Sequence, residues 1–536
     1  MHHIKGTLAS IVVAFLFFFS YSCIPAQPEK NKAGENRFVI ADFQKLAPIH
    51  PFLTSTTLSA QLIDIVFEGL IRLDKQFVAQ PHLAESWETS QNGLIWTFYI
   101  RKKVQFHDGS TLTAEDVAAT YEALKTLKGN TGFSHIFQEI DSITVKDSYI
   151  LQIVLKKPLA AFLQYLHVGI LPKHLLAGKN GNMLPNNEEL VGTGSYKLLS
   201  WSEQEVRLEA HQAYFLGKPH IDEIHVKVYP NRGAVWAKLM AGEVDHFASM
   251  MPIQFEILQQ IPHFNFHSVS KPFYYLVAFN LNDPLFADPR VRTALNYAID
   301  KKAILSKVLK DHASVAGGTI HPDSWAYNPK VEAYPYLPQK ALGLLKEAGW
   351  EDRDGDHFLD KNEKPLQFTV HVNAGDDFKK EAMLLIQQHL LDIGVQVDVI
   401  FFDAAHIDFL FKKRFQTVFI DLLAVPDPDA SYRFWHGSQI EDGFNFFSYN
   451  NPEVNRLLDM GRAETDPNRR KTLYFQYQEE MHQNPPGIFL FWIDHLIGIH
   501  QRFEGVTISS GGLFSNIHEW YVPKSQQRVA MFGNQE

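Results

Sequence analysis

Residues 81–117, PHLAESWETSQNGLIWTFYIRKKVQFHDGSTLTAEDV, change backbone period within one short span. A polar turn at Gln91-Asn92-Gly93 is followed by strict alternation. Ile95, Thr97, Tyr99 and Arg101 fall on one face, with Trp96, Phe98 and Ile100 on the other. A tight turn at His107-Asp108-Gly109 then leads into a helix start. Thr113 is placed to cap that helix, and Asp116 to return the bond, as in a capping box. A strand of period two and a helix of period 3.6, so close together, require both kinds of element to share one core.

The mixture recurs along the chain. Strands are expected at 38–43, 94–101, 140–145, 150–155, 205–210, 223–228, 274–280, 366–372, 395–401 and 416–422. Helices are expected at 59–67, 114–126, 234–241, 289–298, 301–308, 338–348, 379–393 and 467–484. In 379–393 the residues Ala382, Leu385, Ile386, His389, Leu390 and Ile393 share one face, the stripe of a helix lying on a sheet. The fold class is therefore α/β (α+β mixed), in more than one lobe.

The front of the chain reads as an export address. His2, His3 and Lys5 precede an apolar run from Leu8 to Phe19 that is too short to span a bilayer comfortably. Ser20-Tyr21-Ser22 come next, and then Cys23, directly after a small residue and the single cysteine in 536 residues. Residues 1–22 are expected to be a signal peptide and 23–36 a polar tether. A mature chain with no other thiol excludes disulfides and cysteine-bound metal centres. The remaining residues exceed what one hydrophobic core serves, so two or three packed units are expected. The formal net charge of −10 is spread without long runs, which argues against nucleic acid as a partner.

Beyond these signals, the wording of 81–117 resembles the family 5 extracellular solute-binding proteins. Further segments resemble the same family in order: Val191-Gly192-Thr193-Gly194-Ser195-Tyr196, with Ser195 in place of the usual proline; Tyr214-Phe215-Leu216-Gly217-Lys218-Pro219; and Leu239-Met240-Ala241-Gly242-Glu243-Val244-Asp245. Asp288-Pro289-Arg290-Val291-Arg292 through Asn296-Tyr297-Ala298-Ile299-Asp300, and Asn450-Asn451-Pro452-Glu453-Val454, continue the match. Gly192 and Gly194 are read as easing a tight path into a strand, Gly242 as a left-handed helix stop, and Asp288 as a cap before Pro289. The resemblance implies a two-lobed periplasmic-binding-protein fold. Lobe one would comprise 37–271 plus 495–523, with an inserted subdomain at 80–190. Lobe two would be 272–494, and 524–536 a tail. It implies the substrate-binding component of an ABC importer, capturing a short peptide or similar small solute in an interlobe cleft and delivering it to the membrane permease; nickel-chelate, haem or oligosaccharide binding, or ligand sensing, are the alternatives. The bacterial lipobox that Cys23 resembles implies lipidation of its thiol, anchoring a monomer to the membrane on the periplasmic side or cell surface.

In peptide-binding relatives a carboxylate four residues before the proline of a D/E-Pro step holds the ligand's ammonium. Pro428 fits that proline, but the matching position is Ala424. Asp421 and Asp427 are the candidates to replace it, with Arg433 for a ligand carboxylate and Trp435 for an apolar side chain. The loop from Asp352 carries Asp354, Asp356, Asp360 and Glu363 at the spacing of a calcium loop, although His357 stands where glycine makes the sharp turn. Calcium and a solvated acidic turn are the two readings; no other cofactor is expected. The histidine pairs His220/His225 and His263/His267 suggest no ligand set. No G-x-S-x-G elbow, H-E-x-x-H helix or phosphate loop is present, so a secreted hydrolase is disfavoured.

Overall fold

The computed structural model describes residues 36–46, 49–52, 57–126, 134–176, 190–403, 407–424, 427–441, 443–510 and 512–527. The signal peptide, Cys23 and nearly all of the tether lie outside the described residues, as do 528–536 of the tail.

One sheet of eleven strands runs through the molecule. In the first half, Arg37–Asp42 lies parallel to Glu223–Val228 and His246–Phe247, and Glu205–Ala210 and Tyr196–Trp201 extend that edge. In the second half, Gln367–Asn373 lies parallel to Gln396–Phe402 and Thr417–Leu423. Two long antiparallel strands, Phe264–Phe279 and Gly487–His500, join the halves. The mixed fold and its two-lobed form are thus as expected. The length of the joining strands is not. The pattern suggested a strand only from 274 and none at 487–500, because Lys271-Pro272 breaks the alternation of the first and the second is apolar on both faces.

Strands buried on both faces divide their side chains between two cores. Phe38 and Ile40 enter a core shared with Leu62, Phe98 and Tyr121, while Val39 and Ala41 enter one with Val235, Leu239 and Phe247. Across the junction, Val277 and Phe279 pack with Val370 and Ile386, and Tyr274 and Leu276 with Trp435, Tyr477 and Trp492. Burying both faces takes both layers out of water at about 25 cal/mol per Å² of apolar area.

A separate four-stranded antiparallel sheet, in the order Ala84–Thr89, Ile95–Ile100, Ile150–Leu155, Ile140–Asp147, packs against the helix Ala114–Thr126. Trp96, Phe98 and Ile100 are buried and Ile95 is exposed, as the alternation predicts. The helix start differs from the expected capping box. Thr113 donates from both N and Oγ1 to Asp116 Oδ2, at 2.8 and 2.9 Å, so its hydroxyl is a donor and not the cap's acceptor. Asp116 Oδ1 is taken by the backbone N–H of Lys173 at 2.9 Å, tying the helix to its neighbour.

Gly242 is left-handed, and Asp288 caps the helix Pro289–Tyr297 through the N–H of Arg290. Gly192 and Gly194 act differently from their reading as turn residues. A Cβ on either would lie 2.0 Å from the Val66 carbonyl oxygen or 2.2 Å from that of Ile65. They let this segment press against the end of the helix Thr57–Val66. Among the described residues no helix is long and apolar enough to cross a membrane.

Candidate solute-binding cleft

The carboxyl ends of the parallel strands in both halves open on one cavity of about 710 Å³. This is where an open α/β sheet leaves backbone and loop groups free for a ligand. From the first half come Gln44, Arg232 and the turn from Ala248 to Pro252. The second contributes the turn from Asn373 to Phe378 and Asp403, and the joining strands supply Lys271, Tyr275, Asp494 and His495.

The charges here are mostly paired. Lys379 Nζ lies 2.5 Å from Asp421 and 3.5 Å from Asp376. Burial pulls its ammonium down, but the two carboxylates outweigh burial and hold it above its ordinary value. Lys380 pairs with Asp377 at 2.7 Å. Arg232 donates to the Ser249 carbonyl at 2.6 Å and lies over the Phe43 ring. Ser268 Oγ donates to Asp494 at 2.6 Å. Lys271 is the exception: among the described residues no side-chain hydrogen bond or ion pair engages its ammonium. Burial lowers its pKa, against the raising influence of Asp421, Asp376 and Asp494. His495 is pushed down to about 3 by burial, with Lys271 adding to the effect, and is neutral at pH 7.

The residues singled out from sequence are not gathered on this cavity. Asp421 is not among the residues lining the cavity; its partly exposed carboxylate pairs with Lys379. Asp427 is fully buried, and Arg470 donates to both its oxygens, at 2.8 and 2.5 Å. Trp435 is core: its Nε1 donates to Tyr274 Oη at 2.8 Å and its ring stacks on Phe447. The Arg433 guanidinium lies 3.6 Å above the Phe444 ring, and burial lowers it to about 10. Asp427 thus stands in a buried ion pair and Trp435 in the core, away from the cavity, and Arg433 rests on an aromatic wall. Ala424 is itself buried, its N–H donating to the Pro272 carbonyl at 2.9 Å.

In the acidic loop, ligand atoms of Asp352, Asp354 and Asp356 lie within 4.8 Å of one another, the one such cluster among the described residues. Each carboxylate accepts backbone N–H groups: Asp352 from Gly355 and His357, Asp354 from Asp356, and Asp356 from Phe358. Glu363 is not in the group. It occupies, with Asn362, the left-handed turn of a hairpin between Asp360–Lys361 and Lys364–Pro365, where a calcium loop would continue into a helix.

Sequence reasoning missed Lys271, Tyr275, Arg232, Asp376 and Asp494. Lys271 had a local signal, a cation inside the aromatic strand SVSKPFYYLVAF, but nothing along the chain brings it to Asn373 or Ser249.

Two halves around a cleft, joined by paired strands and lined by strand ends, define a hinged solute-binding protein. Residues 78–442 match the family model described as "Bacterial extracellular solute-binding proteins, family 5 Middle", and the chain belongs to that family. The oligopeptide-binding protein AppA of Bacillus subtilis is 28% identical over 532 residues, covering 96% of this chain and 97% of the relative. Two solved structures align closely. NikZ from Campylobacter jejuni in complex with Ni(L-His) has a TM-score of 0.80 and 30% identity, covering 91% of this chain and all of that one. AppA from Bacillus subtilis in complex with a nonapeptide has a TM-score of 0.78 and 26% identity, covering 92% of this chain and all of that one. The chain is the substrate-binding component of an ABC importer.

Proposed function

We propose that the captured solute is a short peptide with a free carboxylate, held between the halves and handed to the membrane permease. The observation that carries this reading is Lys271, an ammonium without a side-chain partner among the described residues, in the wall of a cavity of about 710 Å³. That volume suits a small peptide. An ammonium in so enclosed a place gains most from a charged acceptor, because a charge-assisted hydrogen bond is about twice as strong as a neutral one. Exposed strand ends on both sides offer backbone partners to the peptide amides. The match to an oligopeptide-binding relative supports the same ligand class.

A chelate bearing carboxylates would use the same lysine, a second reading favoured by the likeness to the Ni(L-His) complex. Native mass spectrometry of residues 24–536, followed by denaturing release, separates the two. A ladder of peptide masses supports the peptide; a single metal-containing mass overturns it. The Lys271→Met variant is expected to lose affinity for free-acid peptides about tenfold or more while keeping that for their C-terminal amides.

The protein acts as a monomeric carrier and not as an enzyme, exported and anchored on the periplasmic side or cell surface by lipidated Cys23. The single cysteine, directly after Ser22 at the end of a short apolar run, supports the anchor. Cys23→Ser is expected to move the protein from the membrane fraction to the soluble one. The acidic loop is a turn whose carboxylates serve the backbone, and calcium has no structural role there.

A further inference from the structure

The four-stranded sheet built from Ala84–Thr89, Ile95–Ile100, Ile150–Leu155 and Ile140–Asp147 belongs to the first half. Among the described residues, neither it nor its helix Ala114–Thr126 lines the cavity. It reaches instead to the second half, and not through a joining strand. The turn at Gly93 lies against Thr465, between the helices Pro452–Ala463 and Pro467–Gln483; a Cβ on Gly93 would be 3.0 Å from the Thr465 methyl. Beyond the strand Ile150–Leu155, Ala160 donates its N–H to the Arg462 carbonyl at 2.9 Å. Tyr165 follows and is 3% exposed. Burial first, and then the charges of Asp429 and Asp427 in the second half, push its hydroxyl up.

The two surfaces are matched in charge. In the second half Arg462 lies 3.6 Å from Asp429, with its guanidinium 4.2 Å from the centre of the Tyr432 ring. Glu139 and Lys157, from the first half, pair at 3.2 Å. Burial opposes the Arg462 cation, which Asp429 and then Glu139 support; it opposes the Asp429 anion, which Arg462 and then Lys157 support. Opposite charges thus answer each other across the contact. One feature works against it. Asp429 is 1% exposed, and neither of its oxygens accepts a hydrogen bond from the described residues. A carboxylate so stripped of water is costly. Packing, one backbone bond and matched charges on one side, and a desolvated carboxylate on the other, leave the contact near balance, able to form and to part.

We infer that the four-stranded sheet is the clasp of the cleft. Gly93, Ala160 and Tyr165 seat on Thr465, Arg462 and Asp429 when the halves shut, hold a fraction of the molecules closed before any solute arrives, and part when the cleft opens. The clasp goes beyond the peptide reading and holds whichever solute the cleft takes. Apparent affinity then scales with the fraction of molecules it keeps in the binding-competent form.

The test uses residues 24–536, which contain no cysteine. Gly93→Cys/Thr465→Cys puts two thiols where the closeness of the residues suits a disulfide. Native mass spectrometry follows the exchange of a defined mixture of di- to pentapeptides. In the oxidised protein exchange is expected to slow by about tenfold or more, because solute enters and leaves only through the open form, and dithiothreitol is expected to restore it. Exchange as fast in the oxidised as in the reduced protein overturns the clasp. A ligand-free measurement stands beside it, with spin labels on Lys146→Cys and Asn468→Cys, both exposed positions. The unliganded protein is expected to show a closed distance population, which the wedge Thr465→Trp lowers by about half or more. A distance distribution unchanged by Thr465→Trp also overturns the clasp. A wild type that binds no peptide overturns the peptide reading, and the label distances then decide the clasp alone.

Discussion

Truncating Asp427 separates a structural carboxylate from a ligand-binding one. Its side chain is fully buried and that of Arg470 is 6% exposed, so Asp427→Ala leaves a guanidinium in the core facing a void. Burial alone pulls the Arg470 guanidinium down; Asp427 outweighs burial and holds it above its ordinary value. Breaking such a pair from one side costs about 3–5 kcal/mol, or roughly two to three and a half powers of ten in the unfolding constant. Two features set the lower end of that range. Arg470 keeps its bond from Nε to the Gly461 carbonyl at 2.8 Å. Asp429, buried nearby with its carboxyl pushed up by burial, can partly replace the lost charge. Urea denaturation followed by tryptophan fluorescence reads the stability, and calorimetric titration with peptides reads the binding. The expected result is a loss of about 3 kcal/mol or more with affinity changed less than twofold. The double variant Asp427→Leu/Arg470→Met is expected to recover most of the loss, since a well-packed apolar pair replaces a buried ion pair at little cost. A variant of wild-type stability that no longer binds would refute the reasoning and restore Asp427 to the site.

Lys301 is buried, its nearest acceptors being the carbonyls of Asn296 and Tyr334 at 3.5 and 3.4 Å, and desolvation lowers it to about 7. Below pH 7 the folded state carries the full cost of the charge; between pH 7 and about 10.5 the unfolded chain binds the extra proton, so stability rises with pH. Lys301→Met should accordingly be more stable than wild type by up to about 4 kcal/mol near pH 7, the advantage shrinking in melts taken toward pH 10. Gly194→Ala drives a methyl into the Ile65 carbonyl and should lower stability by about 1–3 kcal/mol, with a matching drop in urea midpoint. Adding millimolar calcium is expected to leave the melting temperature within 1 °C, roughly the scatter of such melts and well below the effect of a saturated structural site; a rise of several degrees would return the ion to Asp352, Asp354 and Asp356.

Local elements were legible wherever one face is buried and the ends carry punctuation. The strands at Ile150–Leu155, Glu205–Ala210 and Glu223–Val228 and the helix Ala114–Thr126 follow directly from period and flanking turns. The joining strand Gly487–His500 shows no alternation because both its faces are buried, and the helix Pro452–Ala463 was read only as a motif start. The site was far less legible. Asp427, Arg433 and Trp435 are close in sequence to the expected anchor, but short-range proximity does not say which way a side chain points. Asp427 turns to Arg470, 43 positions away, and Trp435 to Tyr274, 161 positions away. Lys271 stands out only once the fold surrounds it, because a lone lysine carries no period and no motif. Family wording helped with the scaffold for the same reason that it failed at the cleft: turns and caps are shared, whereas ligand contacts are what relatives change.

The two joining strands lose register between Ser270/Asp494 and Tyr274/Trp492, so that Lys271, Pro272 and Phe273 face Ile493 alone. An irregularity of this kind is the most compliant point of a paired ribbon, and Pro272 lacks the N–H that would stiffen it. The ammonium assigned to the solute's carboxylate is thus mounted on this irregularity, in one of the strands that join the halves. Grip and angle then cannot vary independently: a substitution that only changes the joint's stiffness, such as Pro272→Ala, alters the fraction of closed molecules and with it the apparent affinity, without touching any atom of the solute.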